Sequence, residues 1–92
     1  MTYLPEFTFD YSFLDLQELG DQCISVQEIE NVFYNQSQFY DYSDTEYFIY
    51  VIGYSFRNKF ISFTFNESEG IIRILSVYLS YEQEIKNRYF TI

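Results

Sequence analysis

The stretch that decides the fold runs from residue 47 to residue 79 and reads YFIYVIGYS (47–55), FRNK (56–59), FISFTFN (60–66), ESEG (67–70) and IIRILSVYL (71–79). Its three longer segments are rich in β-branched and aromatic residues, which favour strands, and the two short segments between them are polar. The stretch therefore predicts a three-strand antiparallel meander, and the rest of the chain is expected to cover that sheet.

The segments before the meander predict one strand and two helices. Residues 6–11 alternate between aromatic and polar side chains, which is the pattern of a strand. Apolar residues then recur at helical spacing between residues 13 and 19 and end at Gly20, which predicts a short helix capped by that glycine. A second helix is predicted to begin at Ser25, because Glu28 three residues later completes a capping box.

The remaining segments complete the predicted fold. Residues 35–46 are polar and acidic with scattered aromatic side chains, and they fit either a loop or a weakly specified edge strand. A last helix is predicted from Ser80, with Gln83 completing its capping box. We therefore expect an α+β fold in which about four antiparallel strands, the N-terminal strand and the meander, pack with two N-terminal helices and one C-terminal helix. The 92 residues fit a single domain, 1–92.

Charge is distributed unevenly along the chain. The formal net charge is −9, and residues 1–56 hold ten acidic side chains without any Lys or Arg. Residues 57–92 hold five basic and four acidic side chains, so the two parts carry −10 and +1. A polarised distribution presents two different surfaces to partners. A path for nucleic-acid phosphates would have to use the basic residues of the second part, namely Arg57, Lys59, Arg73, Lys86 and Arg88.

Several classes of protein are excluded by the residue types that the sequence lacks. With no His and a single cysteine, Cys23, the chain offers neither a His-dependent triad nor the common His/Cys zinc site. One cysteine cannot form an intramolecular disulfide, which favours a reducing compartment and predicts a cytoplasmic protein. The sequence shows no signal peptide, no apolar run of membrane-spanning length and no phosphate-binding glycine loop. We therefore expect no metal ion, no cofactor and no membrane association.

Several segments resemble a known family of toxins. GYSFRNKFI (53–61) resembles the Gly-x-Ser-x-x-Gly-Arg-x-Leu hairpin of the BrnT family. IRILSV (72–77), followed by Glu84 on a helix, resembles the family's Ile-Arg-Ile-Ile-Ser-Ala-Arg strand and its Glu-Arg helix. CISVQEI (23–29) and VF (32–33) are similar to family segments nearer the N-terminus. The resemblance implies a compact ribonuclease of the RelE-like type, paired with a DNA-binding antitoxin that occludes it.

The resemblance also implies which residues would cleave RNA. A metal-free ribonuclease needs a base or acid near the 2′-hydroxyl and cations that face the phosphate. On the family's pattern Glu84 is retained, while Tyr78 and Ile85 replace two arginines. Asp21 and Gln22 replace a Lys-His pair. We therefore expect weak RNA binding and weak or lost cleavage, with Glu84 or Tyr78 as the proton carrier and the five basic residues as phosphate contacts.

An alternative function is that of an acidic protein-binding inhibitor, or of a decoy that imitates the charge of a nucleic acid. Carboxylates spaced along one face can occupy a cationic groove through electrostatic steering. The partner would then be a basic nucleic-acid-binding protein, and a homodimer formed through a strand edge is a further alternative. Acidity that serves solubility alone is the simplest explanation of the charge. The candidate partner contacts lie in the middle segment, namely Tyr40, Asp41, Tyr42, Asp44 and Glu46.

Overall fold

The computed structural model describes residues 7–35, 37–41 and 47–90. These residues form an α+β fold with strands and helices in mixed order along the chain. We use the name C-terminal helix for residues 82–89, which comprise a last α-helical turn and the π-helical turn that continues it. The elements are β1 (Thr8–Asp10), α1 (Leu16–Asp21), α2 (Val26–Tyr34), β2 (Gln38–Asp41), β3 (Ile49–Tyr54), β4 (Phe60–Ser68), β5 (Ile71–Leu79), α3 (Glu82–Glu84) and the π-helical turn (Ile85–Tyr89).

The strands form one mixed sheet in the order β1-β5-β4-β3-β2. The predicted antiparallel meander is confirmed, because β3 pairs with β4 and β4 pairs with β5 in antiparallel fashion. β2 is an edge strand antiparallel to β3, so part of the acidic middle segment is a strand rather than a loop. β1 pairs parallel with β5 at the other edge. The expectation of about four strands, all antiparallel, is therefore wrong in strand number and in one pairing.

The parallel pairing of β1 follows from the connection that joins it to the sheet. Consecutive strands joined by a hairpin must run antiparallel, whereas a long crossover permits parallel pairing. The chain between β1 and β5 contains two helices and three strands, so no hairpin constrains β1. A pattern of alternating residues reports that a strand exists, but it does not report the strand's direction in the sheet.

The helices α1 and α2 cover one face of the sheet. The hydrophobic core lies between these two helices and the sheet. Apolar residues alternate along β4, and Ile61, Phe63 and Phe65 are all buried on this face. The register of β4 and β5 shifts between Thr64 and Phe65, which leaves Leu75 opposite no residue of β4. Such a bulge changes which residues of a strand face the core. The other core members are Leu19, Ile24, Ile29, Val32, Val51, Ile72 and Ile74.

The end of α1 differs from the prediction, because Gly20 lies within the helix instead of capping it. The left-handed residue is Cys23, with a φ of 58°. The Cys23 N–H donates to the Gly20 carbonyl at 2.9 Å, and the Ile24 N–H donates to the Leu19 carbonyl at 3.1 Å. This is the Schellman arrangement, in which two apolar residues flanking the turn pack together. Burial of Leu19 and Ile24 thus fixes the helix end three residues beyond the glycine.

The two later helices begin with side-chain caps, a complete capping box at Ser25 and half of one at Tyr81. The box at Ser25 is confirmed, with the Glu28 N–H donating to Ser25 Oγ at 3.3 Å and the Glu28 side chain accepting from the Ser25 N–H. The prediction that Gln83 completes a box at Ser80 is wrong by one residue. The Tyr81 N–H donates to Glu84 Oε1 at 3.0 Å, so the helix begins after Tyr81. The C-terminal helix lies on the face of the sheet opposite α2.

Candidate functional site

The two residues predicted to carry a proton, Glu84 and Tyr78, are in direct contact. The Tyr78 hydroxyl donates to Glu84 Oε2 at 2.5 Å. The Tyr50 hydroxyl donates to the same oxygen, while the other oxygen accepts the Tyr81 N–H. The carboxylate therefore joins the C-terminal helix to strands β3 and β5.

Two serines extend this contact into a cluster. Ser62 Oγ lies 3.3 Å from the Tyr50 hydroxyl and 2.7 Å from Ser80 Oγ. Ser62 lies opposite Tyr78 in the pairing of β4 with β5, so both project from the same face of the sheet. The sequence reasoning missed Tyr50, Ser62 and Ser80, because finding them requires the register between strands. We name Tyr50, Ser62, Tyr78, Ser80 and Glu84 the carboxylate–tyrosine cluster.

The pKa values of this cluster favour a fixed arrangement of protons. Burial alone would raise the pKa of Glu84, but hydrogen bonds from Tyr50 and Tyr78 outweigh it and hold the pKa below its ordinary value. Burial and the hydrogen bond to Glu84 raise the pKa of Tyr78 to about 12 and also raise that of Tyr50. Near neutral pH the carboxylate is ionised and both phenols keep their protons. General acid–base catalysis works best when the pKa lies near the working pH, so these groups are poorly matched to proton transfer.

Among the residues predicted to contact phosphate, Arg88 lies beside the carboxylate–tyrosine cluster. Its guanidinium carbon is 5.4 Å from the centre of the Tyr50 ring and 5.3 Å from the centre of the Tyr40 ring. The Tyr40 hydroxyl donates to the Arg88 carbonyl at 2.6 Å. Tyr40, which was predicted to contact a partner, is therefore packed against the C-terminal helix and half-buried.

Lys59 belongs to a different cluster, on the opposite face of the sheet. Its Nζ lies 3.3 Å from Oε1 of Glu28, which is fully buried, and it also donates to the Cys23 carbonyl. The Ser55 hydroxyl donates to Glu28 Oε2 at 2.8 Å. Burial would raise the pKa of Glu28, but the hydrogen bonds from Ser55 and Lys59 outweigh it and lower the pKa. Lys59 thus fastens the β3–β4 hairpin to α2.

The three remaining predicted phosphate contacts have local partners on separate parts of the surface. Arg57 lies in the turn between β3 and β4, Arg73 on β5 and Lys86 in the C-terminal helix. Lys86 and Glu82 are largely exposed, so their ion pair contributes little to stability. In detail, Arg73 Nε lies 3.7 Å from Asp10 Oδ2, Lys86 Nζ lies 3.4 Å from Glu82 Oε1, and the Arg57 guanidinium carbon lies 5.7 Å from the centre of the Phe56 ring.

The acidic side chains around α1 are arranged differently. Asp15, Glu18 and Asp21 are exposed, and none of them takes part in a salt bridge of the described residues. Two large apolar side chains lie beside them, Phe13 with 63% and Leu16 with 58% of its surface exposed. We name these five residues the α1 surface. Sequence reasoning missed it, although three carboxylates within residues 15–21 were a visible signal.

A groove of about 220 Å³ separates α1 from β5. Asp15 and Glu18 of the α1 surface also line the groove, so the groove and the exposed carboxylates are continuous. We name it the α1–β5 groove. Its apolar lining residues are Phe13, Leu14, Leu19, Leu75 and Val77.

The other predicted partner contacts fall in the middle segment. Asp41 is exposed on the edge strand β2. Tyr42, Asp44 and Glu46 lie outside the described residues. Among the described carboxylates, those of α1 thus form the most concentrated group without ion-pair partners.

Two observations on the structure and a comparison with known proteins bear on the class of protein. No group of His, Cys, Asp and Glu in the described ranges is placed to hold a metal ion. No helix within residues 7–35, 37–41 and 47–90 combines the length and the apolar character needed to cross a membrane. The chain matches no known protein family, no curated protein and no solved structure. Function is therefore inferred from the surfaces described above.

Proposed function

We propose that this chain is a non-catalytic binding protein that presents an acidic surface to a cationic protein partner. One observation carries the proposal: the α1 surface exposes three carboxylates without ion-pair partners beside two large apolar side chains. Apolar side chains exposed together with one sign of charge are typical of protein-binding surfaces. The partner would be a basic nucleic-acid-binding protein, or an antitoxin if the BrnT-like ancestry holds.

The carboxylates and the apolar side chains of the α1 surface would contribute to binding in different ways. Uncompensated carboxylates raise the rate of encounter with a positively charged partner and select against acidic ones. Burial of Phe13 and Leu16 would supply the affinity, because apolar anchors at the centre of an interface carry most of its energy. The single cysteine, Cys23, is exposed and cannot form an intramolecular disulfide, which favours a reducing compartment, and we propose that the protein acts in the cytoplasm.

The basic residues support binding of a protein over cleavage of RNA. Lys59 and Arg73 are occupied by ion pairs with Glu28 and Asp10. Phosphoryl chemistry needs cations that converge where charge develops, and these pairs lie on different parts of the sheet. RNA is an anionic polymer, so the net charge of −9 would also repel it.

Binding to a Lys/Arg-rich peptide, measured by calorimetry at low and at high salt, tests the proposal. The variant Asp15→Asn/Glu18→Gln/Asp21→Asn keeps the side-chain shapes. Asp15 is the N-cap of α1, and Asn can accept the same backbone N–H groups. We expect its affinity to fall about tenfold or more, and the salt dependence to flatten. A matched control removes the same charge elsewhere, through Asp41→Asn/Glu67→Gln/Glu69→Gln. Equal losses in the two variants would show that net charge, and not the α1 surface, attracts the peptide, and would overturn the proposal.

A BrnT-like ribonuclease with weak or lost activity is the second candidate function. The contact between Glu84 and Tyr78, with Arg88 beside it, favours this candidate. If weak activity is retained, the purified protein cleaves RNA, and Glu84→Gln abolishes the cleavage whereas Glu82→Gln does not. RNA that stays intact with the wild-type protein at every salt concentration would rule out the version of this candidate that retains activity.

A further inference from the structure

Strand β5 is much longer than the strand that pairs with its outer edge. β1 covers only Ile71, Ile72 and Arg73. β5 continues to Leu79, and no described strand lies outside this second half. The α1–β5 groove occupies that position, with Leu75, Ser76 and Val77 along one wall. An unpaired edge of this kind is a template for another strand.

The backbone groups that face this opening can be assigned from the pairing of β5 with β4. The Ser80 N–H donates to the Phe60 carbonyl at 3.0 Å. Along an antiparallel strand, the backbone N–H and C=O groups of successive residues point alternately toward the neighbouring strand on one side and toward the other side. Val77 and Leu79 therefore direct their N–H and C=O groups away from β4, toward the open edge. In the described part of the chain no other backbone group bonds to them.

The side chains around the edge indicate the chemistry of the segment that fits there. An extended segment lying beside β5 would direct alternate side chains into the α1–β5 groove. A Lys or Arg at such a position can lay its aliphatic stem on Leu14 and Leu75 and place its charge near Asp15 or Glu18. A Val or Ile at the same position would contact these two leucines.

We propose that a partner protein adds an extended, Lys- or Arg-bearing segment to the outer edge of β5, continuing the line of β1 and seated in the α1–β5 groove. The inference rests on the proposed function and names its binding mode, which is β-strand addition. A second copy of this chain is a poorer occupant, because it would bring two acidic α1 surfaces together and like charges at an interface repel.

Amide hydrogen exchange of the full chain, with and without a short peptide of alternating Lys and Val, tests this mode. The expected result is slower exchange of the Val77 and Leu79 amides when the peptide is bound. A Glu-Val peptide should not bind, and a Lys-Gly peptide of equal charge should bind more weakly. The variant Val77→Pro removes one outward-facing N–H without removing a bond to β4. We expect it to bind the Lys-Val peptide about tenfold more weakly than Val77→Ala, which loses similar packing but keeps the N–H.

Three results would overturn the inference, and they separate it from the proposed function. If the Lys-Val peptide binds but the Val77 and Leu79 amides exchange as fast as before, strand addition is wrong while the acidic binding surface stands. If the free protein is a dimer in which these amides are already protected, a second copy occupies the edge. If no basic peptide binds, both proposals fail. The exchange measurement uses the wild-type protein, so it tests strand addition even if Val77→Pro does not fold.

Discussion

The two helices on opposite faces of the sheet, α2 and the C-terminal helix, are attached in different ways. α2 approaches β3 so closely that a Cβ on Gly53 would lie 2.5 Å from Val32 Cγ1. Its Glu28 is fully buried and is neutralised by Lys59. The C-terminal helix instead rests on aromatic rings, and its Glu84 is partly exposed and held by two phenols. One helix is built into the core, whereas the other is held by hydrogen bonds that can be removed one at a time.

The largest effect is expected from Glu28→Ala. The change leaves Lys59 without its carboxylate and Ser55 without an acceptor, and it opens space in the core. Loss of one member of a buried pair typically costs several kcal/mol, and because Lys59 is 25% exposed we expect about 3 kcal/mol in the free energy of unfolding. Denaturant unfolding measures it. Glu18→Ala removes an exposed carboxylate and should change stability by less than about 0.5 kcal/mol. Equal losses would show that the pair does not fasten α2.

Gly53→Ala tests the close approach of α2 and β3 directly. A Cβ at this position would overlap Val32 and Ser37, so one element must shift. We expect a loss of about 2 kcal/mol, as for other overpacked cores. Gly20→Ala is the matched control, because nothing lies within 4 Å of its Cβ and the residue is helical. That change should stabilise the protein by about 0.5–1 kcal/mol. A neutral Gly53→Ala would mean that the helix can move away from the sheet.

Glu84→Gln tests the attachment of the C-terminal helix. Gln presents a single acceptor without charge, so the hydrogen bonds from Tyr50 and Tyr78 are weakened or lost. We expect a loss of about 1 kcal/mol. Amide exchange should become faster in residues 82–89 and stay unchanged in α2, because the effect is local. Glu82→Gln removes a carboxylate from the same helix and breaks only the exposed pair with Lys86, so faster exchange in that variant too would contradict a specific role for Glu84.

The carboxylates of Glu28 and Glu84 are both expected to make the folded protein less stable as the pH falls. The folded-state pKa values of Glu28 and Glu84 lie below the ordinary glutamate value. Their contribution is therefore present above about pH 4.3 and is lost as the pH falls through the folded-state values. We expect the free energy of unfolding to decrease more steeply below about pH 5 in the wild type than in Glu84→Gln. Parallel curves from unfolding series at pH 6 to 2 would contradict the lowered pKa of Glu84.

Local patterns in the sequence were sufficient for the parts of the fold that neighbouring residues determine. The meander and the capping box at Ser25 depend on residues close together in the chain, and both predictions are confirmed. The helix end at Gly20 was predicted wrongly because tertiary burial of Leu19 and Ile24 moved the turn to Cys23. The direction of β1 was missed because it depends on the connection across the whole chain.

The candidate site was less accessible from the sequence for a related reason. The contact of Glu84 with Tyr78 spans six residues, but Tyr50 joins it from a strand that is 34 residues away. The register of three strands decides that meeting, and alternation alone does not give register. The exposed carboxylates of α1 were present in the sequence, yet their lack of ion-pair partners becomes visible only when every described lysine and arginine has been placed.

The smallest expected effect concerns the titration of Tyr78. Burial and the hydrogen bond to Glu84 raise its pKa to about 12 in the folded protein. A phenol with a raised pKa contributes stability that is present below about pH 10 and is lost as the pH rises through the folded-state value. The tyrosinate absorbance of the wild type minus that of Tyr78→Phe isolates this one hydroxyl among the eleven tyrosines. In a Glu84→Gln background the same difference should titrate closer to pH 10. An unchanged midpoint would assign the raised pKa to burial alone, and the C-terminal helix would then be held by packing and not by Glu84.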